Sequence, residues 1–237
     1  MAMIKPIPTA LQRKSLGDHV YESIRESIVT VQFEPGRMLF ENELAERLGV
    51  SRTPIREAIR LLAREELVEV LPQRGTRVSF ISEKKVKEVH FVREQLEMGA
   101  FRAAARLWDE KLHRPIKDEL LQLIQKQRLA ALYGNYAAFL AHDESFHQVM
   151  MKATGNATLL QIMTQMRAHL NRIRYLAIEQ RRNTDDIIQE HIELLEAVER
   201  HDEELVAARL AAHIGQLSQR IAGLREEHPK YFYDKEE

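Results

Sequence analysis

The sequence contains no cysteine in its 237 residues. Disulfides, thiolate metal sites and cysteine nucleophiles are therefore excluded, and the composition suits a reducing compartment. It also lacks any apolar run near the roughly 20 residues that a membrane helix needs. The opening Met1-Ala2-Met3-Ile4-Lys5-Pro6 has no apolar core of a secretory signal. A cytoplasmic location is expected, with no membrane partner. Nor is there an excess of either charge: 35 Lys and Arg stand against 36 Asp and Glu, nearly balanced in each half. Nucleic-acid binding must then come from the local placement of arginines, because no global basic field exists to drive it. What is present is enough length for two domains, each with its own core.

The pattern along the chain changes once. Residues 1–14 read as a loose arm, with Pro6 and Pro8 discouraging regular structure. Ser15 then precedes Leu16, Val20, Ile24, Ile28 and Val31 at helical spacing, with Asp18 placed to complete a capping box. Pro35-Gly36 closes this segment. A short helix over about 41–48 and a second to about 65 flank Gly49-Val50-Ser51. Residues 67–71 and 76–80 read as strands joined by Pro72-Gln73-Arg74-Gly75. Helix, helix, turn, helix, hairpin is the order of a winged helix-turn-helix, spanning 15–81.

After Ser82 only helical periods remain. Six segments are expected near 84–107, 115–132, 135–153, 157–181, 185–200 and 203–226. The breaks fall at Pro115, Gly134-Asn135, Gly155-Asn156, Asn183-Thr184 and His201-Asp202. Short connections between long amphipathic helices imply an antiparallel bundle. The fold class is mainly α, with a winged helix-turn-helix followed by an all-α bundle over 84–226. Residues 227–237 read as a polar, aromatic tail.

The helix that starts at Ser51 carries the strongest signal. Gly49 sits where two helices turn sharply, a place for positive φ, and Ser51 can cap the second of them. Ile55, Ala58, Ile59 and Leu62 form one face, while Arg52, Arg56, Arg60 and Arg64 step by four along a flank. The helix start thus offers N–H groups, a hydroxyl and guanidinium groups to phosphates and base edges. A solvated helix with Arg–Glu pairs through Glu57 and Glu65 would use the same residues.

At this point the sequence resembles the GntR family of bacterial regulators over about residues 15–80. The resemblance rests on Pro35-Gly36, Glu43-Leu44-Ala45, Gly49-Val50-Ser51-Arg52-Thr53-Pro54, Arg56-Glu57-Ala58 and Arg74-Gly75-Thr76. It implies that Ser51, Arg52, Thr53 and Arg56 contact double-stranded operator DNA. It also implies that a wing tip at Arg74 and Gly75 enters the minor groove. Two positions depart from the pattern: Asn42 stands where a DNA-contacting Arg is frequent, and Glu66 where Gly is frequent, the latter expected to alter only a helix end.

The second half, about 84–222, resembles the FCD domain of the FadR-type branch of that family, and six helices fit its shorter, VanR-like variant. The pieces are Arg93-x-x-Leu96-Glu97, Asp143-x-x-x-His147 followed by Gly155-Asn156, Glu190-His191, and His213. The residues alone point the same way. Asp143 and His147 share a face with Phe139, Phe146 and Met150. His191 falls in the stripe Ile187, Leu194, Val198, and His213 in Val206, Leu210, Leu217. Three helices thus turn four metal-competent groups inward, and buried polar groups need partners. Imidazole and carboxylate ligands suit a divalent transition metal: zinc, nickel, iron or manganese. Arg93 sits on the stripe Val89, Leu96, Ala100, where its guanidinium wants either Glu97 or a ligand's carboxylate. Arg167 and Arg174 are expected on a solvated face.

The reading is a homodimeric transcription regulator, a repressor controlled by a small carboxylate effector bound by Arg93 near a metal held by Asp143, His147, His191 and His213. The alternatives are a regulator that senses the metal alone, and a metal-dependent hydrolase.

Overall fold

The computed structural model describes residues 15–233, without the side chains of Gln165 and Arg167. The expected arm over 1–14 and the last four residues lie outside the described residues. Among the described residues no helix is long and apolar enough to cross a membrane.

The N-terminal head contains α1 (Leu16–Val29), α2 (Glu41–Leu48) and α3 (Arg52–Arg64), with strands β1 (Met38–Leu39), β2 (Val68–Leu71) and β3 (Gly75–Val78). Helix α1 starts on a full capping box: the Asp18 amide donates to the Ser15 hydroxyl, and the Ser15 amide donates to the Asp18 carboxylate. Gly49 ends α2 in the left-handed region at φ 64°. The sheet order is β1-β3-β2, antiparallel throughout, with Val70 opposite Thr76 and Leu39 on the other side of that residue. Strand β1, only two residues long, is the one head element that the periodicity does not disclose. Val20, Ile24, Ile28, Leu44, Ile55, Ala58, Leu62, Leu67 and Val78 close one core between the helices and the sheet.

Six helices come next, as the pattern predicts: α4 (Glu83–Leu107), α5 (Arg114–Leu132), α6 (Tyr136–Lys152), α7 (Ala157–Arg181), α8 (Thr184–Glu199) and α9 (Glu203–Glu227). Asn135, Asn156 and Asp202 cap α6, α7 and α9 through side-chain oxygens, each accepting from the amide three residues on. Such caps are worth about 1 kcal/mol each. Helix α4 packs against α6, α7, α8 and α9, and α5 pairs with α6 and α8.

The expected polar tail is corrected within its described part. Residues Pro229–Tyr231 form a 3-10 turn, and Tyr231 is buried. Phe232 bridges in parallel to Ile81, where the head joins the bundle: the Ile81 amide donates to the Tyr231 carbonyl, and the Tyr233 amide donates to the Ile81 carbonyl. The Tyr231 hydroxyl donates to Glu34 at 3.0 Å, and Tyr233 stacks on Phe80. Phe80 in turn lies over Gly36, where a Cβ would come within 2.8 Å of its ring. Aromatic side chains with a polar tip can bury their rings while the tip finds a partner.

Helix α7 joins the two halves a second time. Ala168 enters the head core, the His169 imidazole lies 3.6 Å from Glu66, and buried Arg172 donates to the Ser79 carbonyl at 2.5 Å. Glu66 adopts φ 56°, which explains why glycine is favoured there. Its carboxylate also holds Lys85 at 2.9 Å, so its role extends beyond a helix end and ties the head to α4. Burial, then the Arg172 charge, push the His169 imidazole down to about 4 against the opposing pull of Glu66; Lys85 adds to the depression. An unfolded histidine titrates near 6.5, so the unfolded chain takes up a proton first as pH falls. Stability from this site is complete above about pH 6.5 and declines toward pH 4, by at most about 3 kcal/mol. Denaturant melts at pH 7 and pH 5 should therefore show a smaller loss in His169→Gln than in wild type. Equal losses would show that this imidazole does not contribute.

Candidate functional site

The head presents the first of two sites, along the exposed edge of α3. Ser51 occupies the N-cap position with extended backbone, but its hydroxyl makes no capping bond. Ser51, Arg52, Thr53, Arg56, Arg60 and Arg64 are exposed, while Ile55, Ala58, Ile59 and Leu62 are buried. The expected partners Glu57 and Glu65 do not hold the ladder. Glu65 is taken by Tyr21 and Arg25 from α1. Instead, Glu41 at the start of α2 accepts from Arg52 Nη2 and from Arg56 Nε, both at 2.8 Å. These two guanidinium groups, Arg52 foremost, hold the Glu41 carboxyl below its usual range. Exposed pairs of this kind are worth at most about 1 kcal/mol, so they orient both arginines without sequestering them. Arg74 is exposed at the hairpin turn, and Gly75 beside it takes φ 109° against the side chains of Met38 and Phe40. Asn42 is exposed as well, and no guanidinium occupies its place.

The second site lies at the centre of the bundle. Helix α6 supplies Asp143 and His147, α8 supplies His191 and α9 supplies His213. One ligand atom from each falls within 4.8 Å of all the others. Asp143, His147 and His191 are buried and His213 nearly so. His147 Nε2 and His213 Nε2 face each other at 3.1 Å, and His191 Nε2 lies 3.6 Å from Asp143 Oδ1.

The far side of each ring explains the arrangement. His213 Nδ1 donates to Glu190 at 2.6 Å. His191 Nδ1 donates to Gln127 Oε1 of α5 at 3.0 Å. His147 Nδ1 lies 2.9 Å from Glu97 Oε2 of α4, angled off the ideal line. With acceptors behind all three rings, the protons belong on Nδ1 and the Nε2 lone pairs converge. Two facing lone pairs at 3.1 Å repel unless a cation lies between them, and His191 Nε2 is buried with no hydrogen-bond partner. A histidine whose second nitrogen is anchored by a carboxylate or amide is the usual form of a metal ligand. Burial pushes the His147 and His191 imidazoles down, so both are neutral at physiological pH. Burial resists ionisation of Asp143, but the Arg174 guanidinium beside it opposes that and the carboxyl stays below its usual range. Three imidazoles and one carboxylate fit a divalent transition ion.

Beside this centre opens a small, half-open cleft bounded by α4, α6, α7, α8 and α9. Arg93 lines it but pairs with Glu97 in two-pronged fashion, Nε at 2.8 Å and Nη2 at 3.3 Å. Arg174, expected in solvent, instead points inward and pairs with Asp143. The side chain of Arg167 lies outside the described residues. Sequence reasoning also did not single out Gln127 or Glu41. Gln127 had a readable signal, a polar residue in the apolar stripe of Leu120, Leu123, Ile124 and Ala130.

Both halves of the chain match known families. Residues 16–78 match the bacterial regulatory proteins of the gntR family, and residues 88–216 match the FCD domain. An HTH-type transcriptional regulator in an unstable DNA locus of Streptomyces ambofaciens is 30% identical, over 90% of this chain and 88% of its own. The HTH-type transcriptional repressor RspR of Escherichia coli is 26% identical, over 93% and 95% of the two chains. The gluconate operon transcriptional repressor of Bacillus subtilis is 25% identical, over 90% and 88%. The fold is that of the E. coli McbR/YncC structure, with a TM-score of 0.74 at 23% identity, covering 91% of this chain and 99% of that one. These relatives regulate transcription and are not enzymes, which sets the hydrolase alternative aside. The chain belongs to the gntR family of bacterial transcription regulators and carries a C-terminal FCD domain.

Proposed function

We propose that this regulator is a homodimeric repressor that leaves its operator when a small carboxylate enters the cleft beside a metal ion. The observation that carries this is the convergence of three Nε2 lone pairs and the Asp143 carboxylate at the cleft wall. Ser51, Arg52, Thr53 and Arg56 would read the major groove, and Arg74 and Gly75 would reach the minor groove. Two heads would bind a pseudo-palindrome, since protein two-fold symmetry is mirrored in the half-sites. Asp143, His147, His191 and His213 would hold the ion, which would supply positive charge for a carboxylate oxygen. Arg93 spends Nε and Nη2 on Glu97, leaving Nη1 to meet the acid. Arg174, now paired with Asp143, adds a second guanidinium.

The path to DNA would run along α7. Arg174 and Ile178 line the cleft, while Ala168, His169 and Arg172 on the same helix touch the head. An acid that draws Arg174 from Asp143 would shift load onto these contacts. Coupling of this kind requires the effector to favour one of two packings over the other.

The test uses duplexes selected by the protein itself from a random pool. Binding is followed by anisotropy with chelator-treated protein, then with added metal, then with organic acids. Release on acid and not on metal alone is expected; release by metal alone would favour the metal-sensing alternative. Arg93→Ala should weaken acid binding by calorimetry at a cost of about 1–3 kcal/mol while operator affinity of the free protein holds. Arg93→Lys, which keeps a charge beside Glu97 but loses the fork, serves as the control for packing. Wild-type acid affinity in both variants would leave Arg93 a structural partner of Glu97.

A further inference from the structure

The cleft is charged at both ends and apolar between them. One end holds buried Asp143 with half-buried Arg174 and His213; the other, two helical turns on, holds exposed Arg181 and half-buried Arg220. Arg174 and Arg181 are seven residues apart on α7, and His213 and Arg220 seven apart on α9. Two helical turns separate the poles on each wall, or about 10 Å along the axis. Between them lie Ala177, Ile178, Ile187 and Leu217.

The two outer arginines differ from the inner ones in having no carboxylate partner among the described residues. Arg93 is matched by Glu97 and Arg174 by Asp143. Arg220 donates to the neutral Gln180 carbonyl at 2.7 Å, and neither it nor Arg181 has an ion-pair partner among the described residues. Four guanidinium groups line the cleft against Asp143 and Glu190, with Glu97 behind Arg93 as a third carboxylate. The wall is thus net cationic before any metal ion adds its charge. A single carboxylate at the inner pole would leave the outer end unmatched, and paired guanidinium groups are well suited to a planar anion.

We propose that the effector carries an anionic group at each end of a short neutral chain. One end would sit beside the histidine cluster and Arg174, the other between Arg181 and Arg220. This rests on the proposed effector control and adds the second anchor. The outer anion has two chemical sources, a second carboxylate or a phosphate monoester, and both share this recognition.

Calorimetry on the metal-containing full chain tests it with malonate, succinate, glutarate and adipate. Each is paired with the monocarboxylate of equal carbon number, and 3-phosphoglycerate serves as the phosphate arm. At least one two-ended acid should bind about 10- to 100-fold tighter than its one-ended match. In an Arg181→Gln/Arg220→Gln variant that gap should close while monocarboxylate affinity stays put. Both side chains stand at the outer end, so melting without ligand should match wild type. Preference for 3-phosphoglycerate over every dicarboxylate supports the proposal with phosphate as the outer group. Equal affinity for one-ended and two-ended acids, or a gap that survives in the double variant, overturns it while leaving the effector reading intact. Binding of no acid of any kind overturns the effector reading, and this proposal with it.

Discussion

Protein carrying His147→Ala and His191→Ala together should emerge from a chelator-free purification with its transition-metal content at background, where wild type should carry a stoichiometric ion. The four donors sit on three helices and meet within 4.8 Å, so losing two leaves His213 and Asp143, the latter already engaged by Arg174. Even outer partners of metal ligands are worth about 10- to 100-fold in affinity, and removing two ligands costs far more. Because His147 and His191 are kept neutral by burial, they compete little with protons at pH 7. Chelation should lower the melting temperature of wild type, as expected when a ligand bound only to the folded state is withdrawn. The variant should melt at one temperature with or without chelator. That temperature will itself be below wild type, because His191 stacks on Phe146 at 4.0 Å and its loss opens a cavity. Metal measured in both proteins before and after chelation separates the two effects. Stoichiometric metal in the double variant would place the ion elsewhere.

The second large effect is on DNA. Arg52→Ala and Arg56→Ala should each weaken operator binding by about 1–3 kcal/mol if the side chain grips a base edge. A phosphate contact would instead reduce the slope of affinity against salt by about one counterion. Neither change should disturb the fold, since both side chains are more than half exposed and their common partner Glu41 is also accessible. Glu41→Gln offers the complementary measurement. Releasing both arginines from one carboxylate should change operator affinity far less than losing either guanidinium. Unchanged affinity in both alanine variants would remove α3 from the reading role.

Much of the architecture was legible in the residues. The helix breaks at Gly134-Asn135, Gly155-Asn156 and His201-Asp202 work because Asn135, Asn156 and Asp202 are genuine caps. The grouping of Asp143 with three histidines could be read because each lies on an apolar stripe, and helices bury such stripes against one another. What escaped has physical reasons. Strand β1 is two residues long and leaves no period. Arg174 faces inward although periodicity puts it in solvent, because α7 packs against α4, α6, α9 and the head at once and has no single inner face for a periodic reading to find. Glu41 is thirteen residues before Pro54 and on another helix, and only the turn at Gly49 swings its carboxylate under Arg52 and Arg56. Nothing in the polar and aromatic composition of the tail tells that the Tyr231 ring is buried while its hydroxyl meets Glu34 on a distant segment.

The strap between Phe232 and Ile81 has a consequence for how orientation is controlled. The bundle leaves the head at Ile81 and, after six helices, returns to that same residue. It is therefore hung as a closed loop, with α7 as a third point of attachment. A domain on a single tether swivels, and the entropy of that swivelling is surrendered anew each time DNA is gripped. Here the ordering is accomplished when the chain folds, and little remains to be lost at the operator. With three attachments in place of a slack hinge, a rearrangement inside the bundle would have to strain or break one of them before the head could keep its pose.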